Sequence, residues 1–224
     1  MRQIYRATEG PADWRALLAD PAKQWRAGYS AMAAAQCWEA GFPPEVAALC
    51  GDQTELQLAL VEHKVPMPGK GFPSQCDVFA LVHADGRDMA VAVEAKVAEP
   101  FGPTIGEWLG ETPSLNKLER IDTIAGWLGL DAPDPTLRYQ LFHRCAAAIV
   151  EARRFRRPVA GMIVHSFSQS FHWLPDFQAF AAALGLDLGA AEAGDVALPD
   201  GLVLRLGWAK GDGIFLADLT GAGT

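Results

Sequence analysis

The sequence predicts a mixed α/β (α+β) fold, a sheet of mixed strand direction with helices on both faces. Three observations carry this. Met89–Val97 is a short run that is apolar on both faces, as in a strand buried within a sheet. A second apolar run, Val78–Val82, lies just upstream across an Ala84-Asp-Gly-Arg-Asp88 turn, so the two read as a hairpin. Helical periodicity flanks the hairpin, and a further apolar run, Val159–His165, follows it, giving the order helix, strand, strand, helix, strand. With 224 residues, half of them hydrophobic and 21% charged, the chain is long enough for one sizeable core. It reads as one domain over 1–224. Residues 1–50 are a helical extension, 54–166 the core, and 167–224 a helix followed by a β-hairpin.

Pro11–Ala19 starts with a proline suited to a first helical turn. Ser30–Ala40 is alanine-rich and ends at Gly41, and Pro43–Cys50 makes a short helix. Thr54–Val65 is expected to be a helix, with Leu56, Ala59 and Leu60 inward, stopping before the Pro/Gly loop 66–73. After the hairpin, Glu99-Pro-Phe-Gly-Pro103 breaks the strand, and a loop through Trp108 leads to a helix over 114–128. A Pro/Asp linker, 129–135, precedes a long helix over Thr136–Phe155, with Leu137, Leu141, Cys145, Ala148 and Ala152 at helical spacing. A helix over Pro175–Leu184 follows. Leu202–Trp208 and Ile214–Leu219 are expected to close the fold as a hairpin around Lys210-Gly-Asp-Gly213.

Within the first apolar strand stand two ionisable residues. Side chains alternate, so Val91, Val93, Ala95 and Val97 share one face, and Glu94 and Lys96 the other, behind Ala90 and Ala92. A carboxylate and an ammonium on a buried strand are expensive to desolvate without compensation. Asp77 opens the neighbouring strand. Two carboxylates ~4 Å apart repel by about 4 kcal/mol at an effective dielectric near roughly 20, which favours a cation between them. Mg²⁺ takes oxygen ligands and keeps several waters, so two or three carboxylates suffice. Lys96 is placed to orient or deprotonate an attacking water and to offset charge growing at phosphorus.

Asp77 followed by Glu94-Ala-Lys96 on the next strand resembles the PD-(D/E)XK phosphodiesterase superfamily, in an uncharacterised bacterial branch. The resemblance spans roughly residues 54–166. It implies a restriction-endonuclease-like αβββαβ core, Mg²⁺ (or Mn²⁺) as cofactor, and Asp77 and Glu94 as metal ligands. It makes Lys96 the catalytic lysine and the Ala95 backbone carbonyl a ligand. The proline usual before the aspartate is replaced by Cys76. Superfamily members often carry a further glutamate on the helix before the hairpin. Glu55 and Glu62 are the candidates, and Glu62, nearer the loop to Asp77, is preferred. The implied activity is metal-dependent hydrolysis of nucleic-acid phosphodiester bonds, DNA foremost. The alternative is a non-catalytic binding or regulatory module on the same fold. A structural Glu94–Lys96 ion pair would make Glu94→Gln destabilising, whereas a bare metal-site carboxylate would be neutral or stabilising to remove.

Further polar groups lie near these residues. Ser74 and Gln75 precede Asp77 and either bind substrate or shape the loop. Gln140 and Arg144, four apart on the long helix, form a polar face that either meets phosphate or meets solvent, and only partly resemble the superfamily's Gln-x-x-x-Tyr. His143 between them is more often a core histidine than a ligand. Arg153, Arg154, Arg156 and Arg157 suit a helix C-terminus, and Lys117 and Arg120 read as a similar solvated pair. Trp108, just past the site, is placed to stack on a base, while the other tryptophans are core.

Charge and cysteines bound the context. The net charge of −8 argues against a broad basic surface, so positive charge must be local, the substrate small or end-bound, or a partner borrowed. Four cysteines lie far apart with no Cys-x-x-Cys, which argues against a zinc knuckle and for reduced thiols in the cytoplasm; Cys76 reads as a small core residue. Met1–Arg6 lacks the apolar run of a signal peptide, and no stretch is long enough to span a membrane. Gly69-Lys-Gly-Phe-Pro-Ser74 precedes a strand and lacks the ending of a nucleotide-binding phosphate loop, and His165-Ser166 lacks a nucleophile elbow. The expected partner is nucleic acid, without membrane contact, and a possible homodimer is compatible with the sequence.

Overall fold

In the computed structural model, residues 7–219 are described. Met1–Arg6, read above for a signal peptide, lies outside them. Among the described residues, six strands form a mixed sheet in the order β1-β2-β3-β4-β6-β5. These are β1 (Glu55–Val65), β2 (Ser74–Ala84), β3 (Arg87–Lys96), β4 (Val159–Ser166), β5 (Ala193–Ala197) and β6 (Val203–Lys210). The strands β1, β2 and β3 run antiparallel in turn; β3, β4 and β6 are parallel; β5 closes the edge antiparallel to β6.

Among the described residues, eight helices cover both faces: α1 (Pro11–Arg15), α2 (Pro21–Gln24), α3 (Ser30–Glu39), α4 (Pro44–Cys50), α5 (Ile105–Leu109), α6 (Leu115–Trp127), α7 (Tyr139–Phe155) and α8 (Leu174–Ala183). One core joins Ala90, Ala92, Phe79 and Leu81 to α6, α7 and α8. The other joins Val78, Val91, Val93 and Ala95 to α1, α3 and α4. The alternation read from β3 therefore holds, and its centre is almost wholly buried. Residues 7–50 form the layer over one face of the sheet rather than an appendage.

The segment expected as a helix over Thr54–Val65 is the strand β1, Glu55–Val65. Leu56, Leu58 and Leu60 also fit a period of two, and a short apolar run satisfies both periods. Pairing with β2 decides the matter, because it satisfies a backbone that helix propensity alone would have coiled. The expected closing hairpin is also corrected. Val203–Lys210 is a strand, but its hairpin partner is the preceding β5, across Leu198-Pro-Asp-Gly201, where Leu198 N–H donates to Leu202 at 2.8 Å. With β4 and β5 on its two sides, β6 has no free edge, so Gly213–Leu216 becomes a 3₁₀ turn instead. Gln36 Nε2 donates to the Phe215 and Ala217 carbonyls at 3.0 and 2.9 Å and ties that turn to α3. The expected loop through Trp108 contains α5, started by a Thr104/Glu107 capping box. No helix among the described residues is long and apolar enough to cross a membrane.

Candidate functional site

The sheet forks at one point. The β2–β3 ladder ends at the pair Val78–Val93. Beyond it β2 continues against β1 to Ser74–Val65, and β3 continues against β4 to Lys96–Ser166. Asp77, Glu94 and Ala95 sit where the strands part. Asp77 closes the gap by accepting the Ala95 N–H on Oδ2 at 2.6 Å. Within a strand a residue's N–H and C=O face the same neighbour, so the Ala95 carbonyl faces this gap too. Glu62, on β1 opposite Asp77, has φ 51°, a left-handed kink that interrupts the ladder there. Its Oε2 accepts from Gln75 Nε2 at 2.5 Å. Glu55 stands at the far end of β1 against His83, so of the two candidates only Glu62 reaches the fork.

The helix α7 supplies the other wall. Glu94 and Lys96 are 3% and 5% exposed. Lys96 Nζ donates to Glu94 Oε1 at 2.6 Å and lies 5.2 Å from the centre of the Phe101 ring. Gln140 Nε2 donates to the same oxygen at 2.7 Å. Arg144 Nε donates to Glu94 Oε2, and its NH1 donates to Ser74 Oγ at 2.7 Å. Ser74 Oγ is 2.9 Å from His143 Nδ1. A guanidinium only donates, and NH1 also lies 3.4 Å from Nδ1, so His143 accepts there and carries its proton on Nε2. The structure thus gathers Asp77, Glu94, Ala95, Lys96, Glu62, Gln75, Gln140 and Arg144 around one cavity of about 410 Å³. His143 stands behind Ser74. Trp108, expected to be free to stack on a base, is stacked on Tyr139 with centroids 3.8 Å apart.

Sequence reasoning missed part of the wall. Residues 18–31, from beyond α1 into the first turn of α3, border the cavity through Lys23, Gln24 and Tyr29. Glu99 joins them to the site, accepting from Ser30 N at 2.8 Å and from Val97 N at 2.9 Å. The signal was an acid three residues past Lys96, before a proline, where the strand must end.

Charge is unevenly settled here. Burial alone would raise the Glu94 carboxyl, but Arg144 and Lys96 overcome it and hold it down to about 2. Arg144 is firmly charged: burial disfavours the cation, and the Glu94 carboxylate more than restores it. At Asp77 the same two cations are outweighed. Burial and the charges of Glu94 and Glu62 push it well above the usual carboxylate range. Glu62 is raised to about 7 by burial and Glu94, against the Gln75 hydrogen bond. His143 falls to about 3 through burial and the Arg144 charge, so it is neutral.

Hard oxygen donors beside unrelieved negative charge fit Mg²⁺ or Mn²⁺, and Asp77 and Glu62 are the groups a cation would relieve. Both Glu94 oxygens already hold cationic partners, so Glu94 would share its charge with them. Among the described residues, one His/Cys/Asp/Glu trio brings its ligand atoms within 4.8 Å, and it is Cys37, Glu45 and His165 on the opposite face rather than the carboxylates. Trp38 Nε1 donates to His165 Nδ1 at 3.3 Å, which leaves the proton on Nε2 facing Glu45 at 2.8 Å. Burial and the Glu45 and Asp212 charges push the Cys37 thiol up to about 12. That trio is a hydrogen-bonded core pair beside a neutral thiol.

Fold and cleft together define a mixed α/β protein with an acid-rich, cation-buttressed cavity at a fork in its sheet. The chain belongs to the family described as Domain of unknown function (DUF6946), whose model matches residues 7–213. Searches of curated proteins and of solved structures returned no match.

Proposed function

We propose that the protein is a metal-dependent phosphodiesterase of the restriction-endonuclease-like, PD-(D/E)XK class, acting on nucleic acid and on DNA foremost. One observation carries the reading: β2 and β3 part where Asp77 faces Glu94-Ala-Lys96, and the gap opens into a cavity that Glu62 also lines. Asp77, Glu62, Glu94 and the Ala95 carbonyl would hold Mg²⁺ or Mn²⁺. When bound, the ion supplies positive charge for a phosphate oxygen and acidifies a water. Lys96, fixed by Glu94, orients the attacking water and stands beside the charge that grows at phosphorus. Gln140 and Arg144 fix Glu94 from α7, and Ser74 and Gln75 fix Arg144 and Glu62 in turn. The four free, buried cysteines suit a reducing cytoplasm.

The test incubates the protein with single- and double-stranded DNA, with and without Mn²⁺. Cleavage should require the metal and fall by about a hundredfold or more in Asp77→Asn and Lys96→Ala. Cleavage that survives both substitutions unchanged sinks the assignment. A second reading, a non-catalytic module on this fold, is favoured by the engagement of both Glu94 oxygens with Lys96, Gln140 and Arg144. It expects no metal-dependent rise in melting temperature.

A further inference from the structure

A second cavity, about 320 Å³, adjoins the fork through Ser74 and His143, which line it. Its chemistry is the reverse of the first. Lys70, Lys117 and Arg120 line it, and no acidic residue does among the described ones, in a chain of net charge −8. Carbonyl dipoles, not carboxylates, hold these cations. Arg120 Nε donates to Pro68 O at 2.9 Å, and its NH1 and NH2 donate to Phe72 O and Lys70 O, both at 3.2 Å. Arg120 is 8% exposed, so this charge is buried without a counter-ion among the described residues. Lys117 Nζ donates to the Trp108 carbonyl, with the Leu109 carbonyl 3.5 Å away. Its position in the first turn of α6 adds to a helix end that is already positive. Lys70 is exposed.

The loop that carries Lys70 is fixed. Arg120 binds three of its carbonyls, and Asn116 accepts from Lys70 N at 2.5 Å and donates to Lys70 O. At Gly71, with φ 131°, a side chain would be strained, and its Cβ would press on Arg120 NH2 at 3.1 Å, so glycine suits the close approach of loop and guanidinium. Beside it Phe72 is 90% exposed, a large aromatic ring held out at the rim by a braced loop. Uncompensated cations beside a free aromatic face suit a phosphodiester with a splayed base. A duplex keeps its bases stacked and offers Phe72 nothing.

We infer that this cavity binds a single-stranded nucleic-acid segment, with its phosphate at Lys70, Lys117 and Arg120 and a base on Phe72. The inference rests on the phosphodiesterase reading for its ligand class: the strand leaving the fork passes Ser74 and His143 into this cavity.

The experiment measures binding of a short fluorescein-labelled oligothymidylate to the full chain by anisotropy, in chelator, across a salt series. Lys70→Glu should weaken binding about tenfold and lower the salt slope by about one. Phe72→Ala should weaken it about tenfold with the slope unchanged. Arg15→Glu, at an exposed position of α1, should bind as wild type. Wild-type affinity in both cavity variants overturns the inference. Equal affinity for duplex, or full displacement by millimolar inorganic phosphate with Phe72→Ala silent, also overturns it, in favour of a duplex or free-phosphate site. The two readings fail separately. Metal-dependent cleavage with silent cavity variants leaves the catalytic reading standing, while cavity-dependent binding without cleavage under any divalent ion leaves the strand site standing.

Discussion

Replacing Glu94 by glutamine removes the anion that is ion-paired to two buried cations, Lys96 and Arg144. The carboxylate accepts from Lys96, Gln140 and Arg144 and is 3% exposed. Its pKa falls from 4.5 to about 2 on folding, and a shift of that size is worth about 3 kcal/mol of stability at neutral pH. Removing one partner of a buried ion pair typically costs about 3–5 kcal/mol, which agrees. For a chain of this length that is a drop in melting temperature of roughly 6–12 °C. Because the folded pKa is depressed, the contribution is fully present above about pH 4.5 and fades as pH falls toward about 2. Thermal and urea denaturation of wild type and Glu94→Gln, from pH 7.5 down to pH 3.5, would read this as a gap that is widest near neutrality. Adding Arg144→Met should restore part of the loss, since the stranded guanidinium is then gone. Glu94→Gln as stable as wild type at pH 7.5 would refute the ion-pair network.

Two other substitutions separate the acids and the loop. Glu62→Gln should stabilise the metal-free protein by about 1–2 kcal/mol at pH 8 and hardly at all at pH 4.5. The folded pKa of about 7 lies above the usual 4.5, so stability contributed by the protonated acid is lost as pH rises through about 7. Saturating Mn²⁺ should shrink that gap at pH 8; melting curves at the two pH values check both statements. Arg120→Met removes three hydrogen bonds from the 66–73 loop and should speed amide exchange and proteolysis there, at a cost of about 1–3 kcal/mol.

The parts of the site most legible in the sequence were those fixed by local alternation. Glu94 and Lys96 fall on one face of β3 because a strand has a period of two, and the apolar run around them left little else to infer. Glu62 was chosen for the right neighbourhood on the wrong element. Leu56 and Leu60 fit the helix period with Ala59 and the strand period with Leu58, and only pairing with β2 distinguishes the two. Gln140 and Arg144 were readable as a polar face, but not that Arg144 reaches Glu94 and Ser74, because that depends on how α7 crosses the sheet. This changes what Glu94 can test. A destabilised Glu94→Gln no longer argues against a metal, because Arg144 and Lys96 dominate its charge; relief of repulsion is read at Glu62 and Asp77 instead. The cavity wall from 18–31 was illegible, since its contacts span long sequence separations.

A crystal structure of the protein soaked in Mn²⁺, with anomalous data, tests the central claim most directly. The expected result is an anomalous peak at the fork, coordinated by Asp77 with Glu62, Glu94 or the Ala95 carbonyl. No peak there, or a peak confined to Cys37, Glu45 and His165, would contradict the assignment of this fork as a metal-dependent phosphodiesterase centre.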